Sequence, residues 1–214
     1  MGLVAFDFDG TLTDAEMTVA LGEQAGVADE MEAITEQAMN DEIEYAESLR
    51  RRVRKLAGLS GEDVATAFDS IELRAGVPSL LNDLSAAEVK TAIVTGGFER
   101  GVKRILDRAE TDVDVIVANR LVVEDKRLTG EVEGPLIEGT KDIALRALID
   151  EFETSLGETT AVGDGANDLP MLQAAGVGIG FQPKPAIESS CDLTVDSIPA
   201  LREALTDLGY LSTS

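Results

Sequence analysis

Short apolar segments alternate with helical patterns through much of this chain. Four of these segments read as strands: residues 3–8, 91–94, 113–117 and 159–162. Strands that alternate with helices predict βαβ units and therefore a parallel sheet. Farther along, residues 121–123 and 128–132 flank a charged turn and predict a hairpin. With 214 residues, the chain is long enough to be one large α/β domain or a core with a smaller inserted domain.

The alternation stops between residues 15 and 76, where only helical patterns occur. These patterns include residues 31–39, 43–56 and 64–73. A helical stretch inside an alternating chain predicts a small helical domain inserted into the α/β core. We therefore expect a core formed by residues 1–14 and 77–214 and a helical cap formed by residues 15–76.

Acidic residues dominate the charge of the chain. Asp and Glu number 41 against 18 Lys and Arg, which gives a formal net charge of −23. Such a surface repels a polyanion, so nucleic acid is not expected as a partner. Because the Debye length falls to about 3 Å in 1 M salt, this surface repels itself least in concentrated salt. We therefore hypothesise a halophilic, salt-adapted host.

The hydropathy pattern gives no sign of a membrane segment. No apolar run approaches the roughly 18 residues of a membrane span. A strand pattern begins directly after Gly2 without a signal peptide. We expect no membrane partner and a cytoplasmic location, whereas the sequence does not indicate an oligomeric state.

Two carboxylates follow the first predicted strand. Asp7 and Asp9 are two residues apart and precede Gly10, so alternating geometry points both the same way. One aspartate can attack phosphorus while the other protonates the leaving oxygen and later activates water. Taken alone, a glycine turn with solvated aspartates explains the pattern equally well.

A second acidic turn follows residues 159–162. Asp164 can complete a Mg²⁺ site, since this ion is usually held by one or two carboxylates together with water and phosphate oxygens. Asn167 and Asp168 would orient the groups around it. A purely structural Asx turn is the alternative.

Two further signals fit phosphate binding. Thr95, Gly96 and Gly97 follow a strand pattern, and backbone N–H groups at such a turn before a helix bind phosphate. Lys141 lies at a predicted helix start, where its charge can neutralise phosphate oxygens, although a lone lysine is usually a surface residue. All four signals lie at strand ends or helix starts, so they can converge on one crevice.

With these motifs in this order, the chain resembles the haloacid dehalogenase superfamily and, within it, the phosphoserine phosphatases. The motifs are residues 7–11, residues 95–97, Lys141 and residues 163–168. The resemblance implies a Rossmann-like core with a parallel sheet and a small inserted helical cap of the C1 type. It implies that Asp7 is the nucleophile and that Asp9 is the general acid and base.

The resemblance also implies a ligand set. Mg²⁺ would be held by the Asp7 carboxylate, the Asp9 backbone carbonyl and Asp164. The remaining motif residues would hold the phosphate or support the metal and the lysine: Thr95, Gly96 and Lys141 in the first role, Asn167 and Asp168 in the second.

In the expected cap, four residues match positions that hold the amino acid in phosphoserine phosphatases: Glu16, Met39, Tyr45 and Arg52. Glu16 can pair with an ammonium group, and Arg52 can hold a carboxylate through two hydrogen bonds. Tyr45 and Arg52 are seven residues apart and share a helix face. Alternatively, Arg52 belongs to a solvated basic run near a helix C-terminus, and Glu16 is an ordinary first-turn glutamate. Three residues complete the expected substrate-binding set: Gly97, Phe98 and Asn167.

The expected reaction is hydrolysis of O-phospho-L-serine, a small phosphorylated amino acid, in serine biosynthesis. Gly10 and Thr95 stand where phosphoserine phosphatases often have Ser, which loosens the substrate assignment. The alternatives are a related phosphatase acting on phosphohomoserine, phosphothreonine or a sugar phosphate, and a non-catalytic phosphate-binding module.

Overall fold

The structure is a computed structural model that describes residues 2–39, 42–138 and 141–212. These residues form a seven-stranded sheet in the order β4-β3-β2-β1-β5-β6-β7. The strands are β1 Leu3–Phe6, β2 Lys90–Phe98, β3 Val115–Glu124, β4 Arg127–Glu133, β5 Thr159–Gly163, β6 Val177–Phe181 and β7 Leu193–Val195. Neighbouring strands are parallel except for the antiparallel pair β3 and β4. The predicted α/β fold with a parallel sheet is therefore confirmed.

Helices cover both faces of this sheet. They are α1 Met17–Ala25, α2 Ala28–Met39, α3 Tyr45–Lys55, α4 Gly61–Asp69, α5 Val77–Ala86, α6 Glu99–Arg108, α7 Lys141–Glu151, α8 Leu169–Ala174, α9 Pro185–Glu188 and α10 Ile198–Asp207. The central strand β1 shows the two faces directly. Leu3 and Ala5 lie in the apolar cluster that includes α7 and α8, and Val4 and Phe6 lie in the cluster that includes α5 and α10. Alternate side chains of one buried strand thus hold two helical layers together.

Four helices, α1 to α4, occupy the stretch that the sequence assigns to an insert. All four contribute to the apolar cluster of the sheet, for example through Leu49 of α3 and Phe68 of α4. Helix α4 begins at a capping box, in which Ser60 and Asp63 exchange hydrogen bonds. Helix α1 falls within the predicted helical stretch, and its Met17 and Leu21 are fully buried. The division into a core and a cap remains a prediction.

Strand β2 is longer than expected. The sequence predicts a strand that ends at Val94 and glycines that lead into a helix, but β2 continues to Phe98 and α6 begins at Glu99. The pairing with β3 shifts register between Thr95 and Phe98. This irregularity leaves the two glycines in an extended segment at the sheet edge instead of a helix start, which corrects the predicted local structure.

The predicted hairpin is confirmed. Strands β3 and β4 pair antiparallel, and Glu124 lies opposite Arg127. The two residues between them, Asp125 and Lys126, have φ angles of 47° and 62°, as a tight turn between twisted strands requires. No helix among the described residues is long and apolar enough to cross a membrane.

Candidate active site

Three strands carry polar residues to one edge of the sheet. In the parallel ladders around β1, Phe6 lies opposite Ile93 of β2 and Val162 of β5. The residues that follow therefore emerge together, and the Asp7 N–H donates to the Val162 carbonyl at 2.8 Å. The edge formed by the carboxyl ends of parallel strands is where α/β sheets place their ligands.

Lys141, the first residue of α7, lies between two carboxylates at this edge. Its Nζ donates to Asp7 Oδ1 at 2.6 Å and to Asp168 Oδ1 at 2.5 Å. The three residues are only 0 to 3% exposed, so each charge depends on the others for compensation. Burial alone would lower the pKa of Lys141, but the Asp168 and Asp7 carboxylates outweigh it and raise that pKa. Lys141 is therefore a fixed positive charge.

Asp168 uses both of its oxygens within the protein. One accepts from Lys141, and the other accepts from the backbone N–H groups of Asp164 and Gly165 at 3.0 and 2.9 Å. A β-carbon at Gly163 would lie 2.6 Å from the Asp168 side chain, so only glycine allows this approach. Asp168 thus fixes both the lysine and the turn that carries Asp164.

The acidic residues at the edge fit a divalent cation. Carboxylate oxygens of Asp7, Asp164 and Asp168 lie within 4.8 Å of one another. Because both oxygens of Asp168 already accept hydrogen bonds within the protein, Asp7 and Asp164 are the better ligands of the three. Carboxylate oxygens are the donors that Mg²⁺ prefers. Burial raises the pKa of Asp164, although the positive charge of Lys184 acts to lower that pKa. A bound cation would compensate the negative charge that is buried here.

Burial and the nearby Asp168 carboxylate raise the pKa of Asp7 to about 7, although Lys141 acts in the opposite direction. Burial, Asp7 and Glu16 raise the pKa of Asp9 well above its usual range. Asp9 Oδ1 is buried without a hydrogen-bond partner among the described residues. A carboxyl group with a raised pKa is suited to donate a proton.

The turn between Asp7 and Leu12 is held by groups from distant parts of the chain. Gly10 has a φ of 85°, and a β-carbon there would lie 2.7 Å from Asp164 Oδ2. Arg74 donates from Nε to the Thr11 carbonyl and from Nη2 to the Gly10 carbonyl, each at 3.1 Å. The turn is therefore fixed in the left-handed conformation that brings it against Asp164.

The Thr95 segment lies beside the same carboxylates. The Gly97 N–H donates to Thr95 Oγ1 at 3.0 Å, and Asp9 Oδ2 lies 3.1 Å from where a Gly97 β-carbon would be. Asn119 Nδ2 donates to the Gly96 carbonyl at 3.0 Å. A β-carbon at Gly96 would collide with the Tyr45 hydroxyl, so this glycine is where α3 meets the sheet edge.

Helix α3 turns one polar face toward this edge. Tyr45, Ser48 and Arg52 follow one another at helical spacing along that face. Arg52 is only 8% exposed, and its Nη1 donates to Thr18 Oγ1 at 3.0 Å. Its Nε and the Ser48 hydroxyl are buried and have no partner in the described part of the chain. Buried donors of this kind are costly unless a ligand satisfies them.

The other predicted substrate residues differ in placement. Glu16 is exposed at the start of α1 and caps no backbone N–H, but its charge raises the pKa of Asp9 and Asp164. Asn167 lies partly buried between β5 and α8, and the described residues give its side chain no hydrogen bond. Phe98 is buried and lines a separate cavity. The side chain of Met39 lies outside the described residues, so its predicted contact stays a prediction.

Sequence reasoning missed several residues that contact the site: Ser48, Arg74, Asn119 and Lys184. Lys184 Nζ lies 3.2 Å from Asp164 Oδ2, and its backbone N–H donates to the Asp164 carbonyl at 2.9 Å. Ser48 alone had a local signal, because it lies three residues after Tyr45 and four before Arg52 on a predicted helix. The others reach the site only through the fold.

Comparison with known proteins gives a consistent result. The family model of haloacid dehalogenase-like hydrolases matches residues 4–173. A phosphoserine phosphatase of Halobacterium salinarum is 49% identical over 98% of this chain and 99% of its own length, and that of Lactococcus lactis is 38% identical over 98% and 95%. A solved phospho-aspartyl intermediate analogue of phosphoserine phosphatase superposes with a TM-score of 0.87 at 35% identity, covering 96% of this chain and 98% of that one. A substrate-bound phosphoserine phosphatase complex gives a TM-score of 0.87 at 34% identity, covering 96% and 97%.

Proposed function

The chain belongs to the haloacid dehalogenase-like hydrolase family, and we propose that it hydrolyses O-phospho-L-serine to L-serine and phosphate through a phosphorylated Asp7. One observation carries the proposal. Lys141 pairs with both Asp7 and Asp168. Two residues after Asp7, Asp9 supplies a second carboxyl group with a raised pKa. This is the arrangement that nucleophilic attack on phosphorus and proton transfer to a leaving oxygen require.

Asp7 is the nucleophile in this proposal. Lys141 holds its Oδ1, and Asp7 Oδ2 has no hydrogen bond among the described residues. The free oxygen attacks phosphorus in line while the bond to the serine oxygen breaks, which leaves phosphate esterified to Asp7. Lys141 fixes the direction of attack and balances charge on the transferring group.

Asp9 moves the proton in both half-reactions. It donates its proton to the departing serine oxygen, and the resulting carboxylate then removes a proton from the water that cleaves the acyl phosphate. The chain contains no histidine, so a carboxyl group with a raised pKa is the natural proton carrier near neutral pH. Gly97 lies beside Asp9, and the preceding Thr95 and Gly96 would hold the phosphate oxygens.

We propose that Mg²⁺ is the cofactor, held by the Asp7 and Asp164 carboxylates and the Asp9 backbone carbonyl. When bound, it supplies positive charge that lets an anionic nucleophile approach an anionic phosphate. Asp168 keeps the Asp164 turn in place for this purpose, and Gly10 lets the first turn approach Asp164 without a side chain.

The substrate is selected by the face of α3. Arg52 Nε and the Ser48 hydroxyl are the buried donors that would meet the α-carboxylate, and Glu16 would pair with the ammonium group. Tyr45 places its hydroxyl against Gly96, where the amino-acid and phosphate ends of the substrate meet. Phosphoserine carries the carboxylate, the ammonium group and the phosphate that these residues would recognise.

A substrate panel with Mg²⁺ tests the proposal. The panel comprises O-phospho-L-serine, O-phospho-L-threonine, O-phospho-L-homoserine, phosphoethanolamine and phosphoglycolate, with Asp7→Asn as the control variant. We expect the highest kcat/KM for phosphoserine and no turnover by Asp7→Asn. Preference for phosphoglycolate, which lacks an amino group, would contradict the role of Glu16, and preference for phosphoethanolamine, which lacks a carboxylate, would contradict the role of Arg52. If no substrate of the panel released phosphate, a non-catalytic phosphate-binding module would be favoured instead.

The same proposal sets the biological context. An enzyme with this reaction acts in serine biosynthesis, and we propose that it does so in a cytoplasm rich in salt. The net charge of −23 supports this, and the similar Halobacterium protein comes from a halophile. Urea unfolding from dilute buffer to molar KCl should show a steep gain in unfolding free energy as self-repulsion is screened. Unchanged stability across that range would contradict salt adaptation.

A further inference from the structure

A large cavity lies apart from the catalytic edge. It has a volume of about 860 Å³ and is bounded by α4, by α6 and by the hairpin of β3 and β4. Of the predicted site residues, only Phe98 lines it. Its size is within the roughly 300–1,000 Å³ of sites that bind small molecules.

The interior of this cavity is apolar. It is lined by apolar side chains of α4, of the end of β2 and of the hairpin: Val64, Phe68, Phe98, Leu121, Val123 and Leu128. Phe68, Phe98 and Leu128 belong to the buried apolar cluster of the protein, so the floor is rigid. An apolar floor of this kind takes a hydrocarbon or aromatic body.

The rim of the cavity is positively charged, whereas the protein as a whole is negatively charged. Five cationic residues line it, against three acidic ones: Arg100, Lys103, Arg104, Arg108 and Arg120 against Asp69, Glu99 and Asp107. The local balance is thus positive by two, whereas the whole chain carries −23. A positive rim on so acidic a protein concentrates anions at this one opening.

Part of this positive charge is already used within the protein. Arg104 makes a two-point contact with Asp69 at 2.7 and 2.6 Å, and Arg108 also reaches Asp69. Lys103 pairs with Glu99 at 2.5 Å. Arg104, Arg108 and Lys103 are therefore paired within the protein and are less available to bind a ligand.

Arg100 and Arg120 remain without a partner. Across residues 2–39, 42–138 and 141–212, neither guanidinium forms a hydrogen bond or an ion pair. Both are exposed and line the cavity. A guanidinium offers a planar pair of donors that matches the two oxygens of a carboxylate or phosphate.

We propose that this cavity is a second ligand site, which binds a small organic anion with one carboxylate or phosphate group on an apolar body. Arg100 and Arg120 hold the anionic group, and the floor between Phe68 and Leu128 holds the body. The acidic surface beyond the rim repels a long polyanion, which favours a small ligand. A ligand seated here contacts α4, α6 and the hairpin at once.

Methyl NMR titrations of the full chain test this site. The probes are 4-phenylbutyrate and benzylphosphonate, which separate carboxylate from phosphate recognition, and 4-phenylbutan-1-ol is the neutral match for the first. All are added without Mg²⁺ at one KCl concentration that maintains the fold, so that screening is the same for every probe. We expect at least one anion to shift the methyl resonances of Val64, Leu121 and Leu128, with the alcohol binding about tenfold more weakly.

Matched variants locate the anion. The Arg100→Gln/Arg120→Gln double variant should weaken the anion about tenfold, whereas Arg146→Gln, which removes an exposed charge on α7, should not. Equal binding of acid and alcohol would overturn the proposal, and so would the absence of shifts up to the solubility of both anions. Shifts confined to residues near Lys141 would assign the anions to the catalytic edge and would also overturn it.

Discussion

The sheet edge and the polar face of α3 treat their charged groups in opposite ways. At the sheet edge, Lys141 is shared between two carboxylates, and both oxygens of Asp168 are occupied. On α3, Arg52 is almost as deeply buried, but within the described part of the chain it donates only to Thr18 and its Nε has no partner. Lys141 and Asp168 have their partners within the protein, whereas α3 still has donors without a partner.

This difference separates chemistry from recognition. Groups that are already held in position stabilise a transition state without reorganising, so the sheet edge should determine kcat. Donors with unused capacity gain a partner when the substrate arrives, so α3 should determine KM and the choice of substrate. The predictions below test this division from its largest expected effect to its smallest.

Asp9→Asn should have the largest effect. The substitution keeps the shape of the side chain but removes the proton that leaves with the serine oxygen, so kcat should fall by about 10²- to 10⁴-fold. KM should change little because Asp9 does not hold the amino acid. Steady-state kinetics with phosphoserine measure both, and Asp14→Asn, which changes an exposed residue just after the same turn, is the control. A kcat close to that of the unmodified protein would remove Asp9 from the proton transfer.

Substitution by methionine in each region compares their stability. Lys141→Met leaves Asp7 and Asp168 buried side by side and should lower the unfolding free energy by about 3 to 5 kcal/mol. Arg52→Met removes one hydrogen bond to Thr18 and should cost about 1 kcal/mol. Urea unfolding without Mg²⁺ measures both values. Equal losses of unfolding free energy would show that Lys141 and Arg52 depend equally on partners within the protein, which would contradict the comparison.

Arg52→Met should raise the KM for phosphoserine by about 10- to 100-fold, because a charge-assisted contact with the α-carboxylate is lost. The kcat should stay within a small factor. Phosphoethanolamine lacks that carboxylate, so its KM should be the same for the variant and the unmodified protein. A parallel rise in KM for both substrates would assign Arg52 to the phosphate or to the structure of α3.

The smallest effect is expected at Asp114, on the opposite edge of the sheet. Burial alone would raise the pKa of this residue, but hydrogen bonds from Lys90 and from the Thr91 N–H outweigh it and lower that pKa. A lowered pKa in the folded state contributes stability above the unfolded pKa, which is lost as pH falls through the folded pKa. Asp114→Asn should therefore cost less than about 1 kcal/mol at neutral pH and nothing below the folded pKa. Urea unfolding of both proteins from pH 7 to pH 3 checks this; a difference that stays constant would exclude the linkage.

Some of these features could be predicted from the sequence because their signals are local. Asp7 and Asp164 each follow a buried apolar run, and parallel topology alone brings such positions to one edge. The turn at Asp125 and Lys126 was equally visible, since charged residues there separate two strand patterns. Local signals thus located the sheet, the hairpin and the residues proposed for the chemistry.

The features that were missed depend on contacts between distant parts of the chain. Arg74 reaches the Gly10 carbonyl only because the chain returns after α4, and Lys184 reaches Asp164 only because β6 lies beside β5. The extension of β2 through Gly96 depends on pairing with β3, which overrides the usual preference of glycine for turns. None of these contacts leaves a periodic pattern in the residues themselves.

The central claim is that phosphate passes through a covalent bond to Asp7. Rapid mixing with phosphoserine labelled in its phosphate, followed by acid quenching and peptide mapping, tests it most directly. The account predicts label on the peptide that contains Asp7, appearing before free phosphate and absent from Asp7→Asn. Continued release of labelled phosphate with no labelled peptide at any time would contradict it.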